Sequence, residues 1–298
     1  LEFSPVETRK GDDLFSDLGF SADDEFICLG IRESSYYDSV SSLGKYKPFY
    51  WMSNIDNFER LDQDNEELGA LSIDFHEEIS RSQRVEALKT PLENYLPMAE
   101  KLAENGTYVV RMGLSIDNAI PTKTNKKVID YARKFRSDFG DILLSAKCKF
   151  AIAGGTGSQW ISCAFGRPVV NTDMYLPNNT FLNTNPDGFP NLSIPRKYWY
   201  IEEKRFLTYS EVFKVFRRYQ NDKWCILDGV ENIPNTSEEI TDVVMEMNSR
   251  IDGKWEETSE DYELQEKYRA LHSRKDDAFG SNGLIGTQFL RDNVDLIQ

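Results

Sequence analysis

The chain is poor in the residues that build disulfide and metal sites. Four of its 298 residues are cysteine and two are histidine. Cys28, Cys148, Cys163 and Cys225 are widely spaced, and the first three fall in or beside apolar segments. They read as reduced, buried thiols of a cytosolic protein rather than as a disulfide framework. His76 and His272 stand far apart with no CxxC or HxxxH spacing, which leaves a structural zinc site without support. No apolar run approaches the ~20 residues that span a bilayer, and the first residues lack a basic stretch followed by an apolar one. A soluble, cytoplasmic chain without a secretion signal is therefore expected. Basic residues are scarce too. Lys and Arg number 35 against 50 Asp and Glu, a formal charge of -15, which argues against a general nucleic-acid or polybasic membrane surface. An anionic ligand would need a locally basic pocket. There is no Walker A sequence, no GxSxG elbow and no GxGxxG with a following acid, so P-loop, α/β-hydrolase and common dinucleotide readings lack support.

What is present suffices for a substantial core, with 40% apolar and 12% aromatic residues in one large domain or two small ones. Residues 1–24 are acidic with little periodicity and read as a lead-in, with order expected from Glu25. Phe26 to Ile31 reads as a buried strand ending in the polar Arg32-Glu33-Ser34-Ser35-Tyr36-Tyr37-Asp38. Residues 39–90 are irregular. Apolar spacing from Pro91 to Asn105 predicts an amphipathic helix, and Tyr108 to Val110 a strand running into Arg111. Val128 to Tyr131 is a short strand or turn, and Ser137 to Lys147 a helix. Beyond Asn171 the chain is loop-rich until Tyr198, with helices expected at Tyr209 to Arg218, Thr236 to Ile251 with a capping box, and Glu260 to Arg274. The segment from Leu284 to Leu290 reads as packing back on the body.

Most informative is Phe150 to Asn171, FAIAGGTGSQWISCAFGRPVVN, which reads as strand, glycine-rich turn, helix and strand. Gly154, Gly155 and Gly157 let the backbone turn sharply and approach a ligand; Thr156 and Ser158 add hydroxyl donors, Ser158 is a fair N-cap, and Gly155, Thr156, Gly157, Ser158 and Gln159 are the candidate ligand contacts of the turn. Such a turn either presents amides to a phosphate or closes the strand for steric reasons alone. Strands alternating with helices over residues 25–171 argue a doubly wound parallel sheet, in which ligands sit beyond the carboxyl ends of the strands. Arg32, Arg111 and the Gly154 to Ser158 turn would converge there. Guanidinium groups suit a pyrophosphate; the alternative is pairing with carboxylates such as Glu33 or Asp141. Tyr36, Tyr37 and Trp160 either stack on a base or sugar or belong to the core. Glu33 and Asp38 are either a general base for an acceptor hydroxyl or part of a solvated acidic loop.

Four segments in order, FICLGIRESSYYD, NYLPMAEKLAENGTYVVRMG, the block from Ile129 to Asp173, and IGTQFL, resemble a family of bacterial glycosyltransferases found with surface-polysaccharide genes. The order of elements is similar to the donor-binding half of GT-B enzymes such as lipopolysaccharide heptosyltransferases and, in the strand-end arginine, protein O-fucosyltransferases. The resemblance implies a Rossmann-like, GT-B-like domain over residues 25–198, with a mainly helical region over 199–298 packing on it. It implies a metal-independent transferase without a cofactor, passing a sugar from a nucleotide sugar to a glycan or lipid-linked saccharide, with peripheral membrane association compatible. Arg32 matches the arginine that contacts donor phosphate, Thr156, Gly157 and Ser158 match the small-residue turn, and Arg111 matches an arginine without an assigned role. Gly30 and Glu33 depart from the histidine and aspartate that related sequences often carry. A GT-B enzyme also needs an acceptor domain before its donor domain. Residues 1–24 alone precede the first strand, so either the chain is a fragment of a longer enzyme, which its start at Leu1 rather than Met allows, or residues 199–298 supply some of that surface. The other class compatible with the sequence is a non-catalytic binding or interaction module on the same core, and a weaker third is a phosphosugar-processing enzyme.

Overall fold

In a computed structural model of the chain, the structure describes residues 2–32, 90–114, 118–121, 123–157, 159–174, 189–217, 227–271 and 283–298. The first element corrects the expected lead-in: Pro5–Leu18 is a helix, α1. Ser4 caps it reciprocally, its hydroxyl accepting from the Glu7 amide while the Glu7 carboxylate accepts from the Ser4 amide at 2.8 Å, and Gly19 closes it with a left-handed φ of 83°. Pro5 sits in the first turn, where its missing N–H costs nothing. The acidic residues of this segment are its solvent face. Phe15 and Leu18 are its buried stripe, and Phe15, Phe20 and Phe26 lie with ring centroids 5.3–5.8 Å apart.

Seven strands form one all-parallel sheet. In chain order they are β1 (Phe26–Ile31), β2 (Tyr108–Met112), β3 (Val128–Ile129), β4 (Ala151–Gly154), β5 (Val169–Met174), β6 (Leu192–Pro195) and, far later, Leu284–Ile285. Their order across the sheet is β3-β2-β1-β4-β5-β6 with Leu284–Ile285 at the far edge. Burial of every residue in β1 and β4 explains the short unbroken apolar runs in the sequence, since a parallel sheet is covered on both faces. Between the strands run α2 (Leu96–Glu104), α3 (Tyr131–Lys134), α4 (Asp138–Lys147) and α5 (Gln159–Ala164). The expected strand and helix from residues 91 to 171 are found within a few positions, with Ser137 capping α4.

The sheet has two apolar layers. On one face Ile27, Leu29, Val109 and Ile152 meet Met98, Ala99 and Leu102 of α2. On the other, Cys28, Val110, Ala151 and Val169 meet Phe15 and Leu18 of α1 and Leu143 and Leu144 of α4. Each fully buried aliphatic side chain contributes roughly 1.5–3 kcal/mol. Cys28, Cys148 and Cys163 are buried free thiols, as expected; Cys225 lies outside the described residues.

After β6 the chain builds a small antiparallel sheet from β7 (Lys197–Tyr200), β8 (Arg205–Phe206) and β9 (Val230–Ile233). Around it lie α6 (Tyr209–Arg217), α7 (Ser237–Ile251) and α8 (Ser259–Ala270); β10 (Leu284–Ile285) then leads into α9 (Thr287–Asp292). The expected boundary at residue 198 falls inside β7. The later region is not helical alone, and it completes the main sheet, because β10 pairs with β6. The capping box expected at Thr236 is present, with Glu239 as its return partner. Among the described residues no helix is long and apolar enough to cross a membrane.

Candidate functional site

The chain lays β2 and β3 on one side of β1, then returns and lays β4, β5 and β6 on the other. The order therefore reverses between β1 and β4. Ligands of such sheets bind beyond the carboxyl ends of the strands at that point, where connections diverge above and below and leave a crevice. Arg32 follows β1 directly and Gly154 ends β4; the Arg32 amide donates to the Gly154 carbonyl at 3.0 Å. These two predicted segments thus meet at the reversal point, and the Arg32 side chain is half-buried there.

Gly154 and Gly155 are required by two different constraints. A Cβ on Gly154 would lie 2.5 Å from the Tyr95 hydroxyl, so any side chain there must displace that buried group. Gly155 has a left-handed φ of 62°, which strains other residues, and its amide faces the carbonyls of Ala153 and Thr172, each at 3.2 Å. A Cβ on Gly157 would meet nothing closer than Trp160 at 3.9 Å, and Gly157 is exposed. Thr156 is half-buried. Gln159 opens α5 with its Oε1 buried and without a hydrogen-bond partner among the described residues. Trp160 is not a core residue, being 48% exposed. Ser158, Glu33, Asp38, Tyr36 and Tyr37 lie outside the described residues.

Arg111 is placed differently. It pairs in register with Leu29, inside β2, and is 1% exposed. Its guanidinium lies 3.6 Å from the Asp130 carboxylate at the end of β3 and donates to the Asn118 carbonyl at 2.5 Å. Its carboxylate partner among the described residues is Asp130, whereas Asp141 pairs with Arg136 at 2.9 Å; Glu33, the other expected partner, lies outside the described residues.

Sequence reasoning missed a buried polar cluster beside the turn. Asp173, at the end of β5, accepts from the Tyr95 hydroxyl at 2.7 Å and from the Asn235 amide at 2.9 Å, and stands 3.2 Å from Arg196 Nε. Its own amide donates to Asn235 Oδ1 at 2.6 Å. Tyr95 also shares a hydrogen bond with Thr172, Arg196 reaches Thr90 at 3.4 Å, and Asn94 donates to the Asn235 carbonyl at 2.8 Å. Five segments are tied together: the approach to α2, β5, the β6–β7 junction, α6 through Tyr209 to the Arg196 carbonyl, and the residue before the α7 cap. Burial pushes the Asp173 carboxyl up, while Arg196 and Asn235 pull it down less strongly. Burial, and then Asp173, push the Tyr95 phenol well above its ordinary value. Asp173 has a left-handed φ of 54°, and the β5–β6 register shifts between Asn171 and Met174. The one cue in sequence is Asn171-Thr172-Asp173 closing an apolar strand. Tyr95 reads there as an apolar helix position, and Arg196 and Asn235 as loop residues.

Among the described residues no group of histidine, cysteine, aspartate or glutamate could hold a metal ion. No family model, curated protein or solved structure matches the chain. The fold alone defines its class, an α/β protein with a Rossmann-like parallel sheet.

Proposed function

We propose that the chain is a glycosyltransferase, or the donor-binding domain of one, that holds a nucleotide sugar at the reversal point of its sheet. The observation that carries this reading is the meeting of Arg32 with the Gly154–Gly155 turn at the carboxyl ends of β1 and β4. In a chain of charge -15, a guanidinium beside a glycine turn that allows close approach is a donor set suited to a diphosphate.

In the proposed reaction an acceptor hydroxyl attacks the anomeric carbon, the bond from that carbon to the phosphate oxygen breaks, and the hydroxyl proton passes to a carboxylate base. Glu33 or Asp38, following Arg32 in sequence, supplies that base. The departing nucleotide diphosphate gains negative charge, so Arg32 and the turn act chiefly on the leaving group. Arg111 is satisfied within the chain by Asp130 and Asn118, and takes a supporting role behind the crevice.

Calorimetric titration with UDP, GDP, ADP and CMP tests the reading. One of them is expected to bind, and Arg32→Ala to weaken it by about tenfold, the loss of one charge-assisted contact. Binding by none of the four, or binding indifferent to Arg32→Ala, would overturn it.

A further inference from the structure

Arg196 and Asp173 form an ion pair in which both side chains are almost fully buried, and the Asp173 carbonyl lies 3.9 Å from where a Gly155 Cβ would be. A buried ion pair is a poor source of stability, because desolvation of both charges offsets their attraction, and apolar residues of the same volume do as well or better. Asp173 also holds an unfavourable left-handed backbone inside a strand. The cluster adjoins the turn on two sides. The Tyr95 hydroxyl, fixed by Asp173 and Thr172, stands where a Gly154 side chain would be, and the carbonyl of Thr172 receives the Gly155 amide.

We infer that Asp173 is a positioning residue: acting through Tyr95 and the peptide of Thr172, and held by Arg196 and Asn235, it fixes the Gly154–Gly155 turn in the geometry that meets the ligand. Asp173 touches no ligand itself. The inference rests on the nucleotide-sugar reading for the identity of the ligand, but not for the ordering of the turn. The residues that set this geometry come from four places in the sequence, so the turn is correct only when α2, β5, β6 and α7 have all docked.

Tyr95→Phe is the decisive variant, since it removes one hydroxyl and keeps the ring packing; Asp173→Asn is the second. Amide hydrogen exchange is read at Arg32 and Gly155, with Ile27 and Val244 as distant references, alongside the four-nucleotide titration. The Arg32 and Gly155 amides are expected to exchange about tenfold faster in Tyr95→Phe while the references keep their protection. The nucleotide that the unmodified protein binds is expected to bind about tenfold more weakly. Unchanged exchange at the turn, or a uniform rise across the sheet, would overturn the inference, as would a loosened turn with unchanged affinity. A loosened turn in a protein that binds none of the nucleotides would uphold the positioning role and remove the nucleotide-sugar reading.

Discussion

Asp173 and Glu246 are two buried acids of the same chain, each 2% exposed, each facing an arginine and each accepting from a main-chain amide. Burial pushes both carboxyls upward, and for Glu246 the neighbouring Arg250 opposes that less strongly. Their surroundings differ. Glu246 on α7 accepts from the Thr287 amide at 2.7 Å and the Thr287 hydroxyl at 2.9 Å, at the start of α9. The residue before that helix is Gly286, where a Cβ would crowd Ile194 and Val243 at 3.0 Å, so no side chain there can cap it. A neighbouring helix supplies the cap instead, and Glu246 is fully explained by stability. Asp173 caps no helix, sits in strained backbone and joins Tyr95, Arg196 and Asn235 beside a glycine turn. Burial of an acid is thus no sign of function in itself; strain and position at the ligand edge make the difference.

The comparison can be broken by measurement. Arg196→Ala strands the Asp173 carboxylate without its cation, and urea unfolding should show a loss of about 3–5 kcal/mol. Both acids keep two hydrogen-bond donors, but Arg250 is 10% exposed against 2% for Arg196, so water reaches the vacated place more readily and Arg250→Ala should cost less, about 1–3 kcal/mol; equal losses would erase the distinction. Gly154→Ala forces a methyl against the Tyr95 hydroxyl and should destabilise by about 1–3 kcal/mol, with faster exchange at Gly155 rather than in α9. Glu246→Gln should cost about 1–2 kcal/mol and raise exchange over residues 287–292 alone.

The smallest effects are in pH. An acid whose folded value is raised keeps its proton when the unfolded chain has released it. From Asp173 and Glu246, stability therefore falls as pH rises from the usual carboxylate value toward each raised one, and Asp173→Asn and Glu246→Gln should each flatten that slope. Glu211 has the opposite sign. Its hydrogen bonds from Arg205 hold it below its ordinary 4.5, so its contribution is present above that value and lost as pH falls through the lowered one. The pair is partly exposed, and Glu211→Gln should cost less than about 1 kcal/mol.

The parallel sheet was legible because β1, β2, β4 and the start of β5 are short apolar runs bounded by turn residues, and the helices between them carry caps and a periodic stripe. The helix over Pro5–Leu18 was not, since acidic residues outnumber the two large side chains that bury it. Nor was β6, where Pro190 and Pro195 bracket four buried residues and suggest a loop. At the site, Arg32 and the glycine turn could be read because strand ends and glycines leave local marks. The Tyr95, Asp173, Arg196 and Asn235 cluster could not, because each partner is far from the others in sequence and only the docked fold brings them together.

The pairing of β10 with β6 also has a meaning for synthesis. Until residues 284–290 have left the ribosome, Leu192 and Ile194 border an unpaired parallel edge, and Glu246 has no helix end to cap. Such an edge invites pairing with another chain, so the nascent protein exposes it from the synthesis of β6 until that of β10.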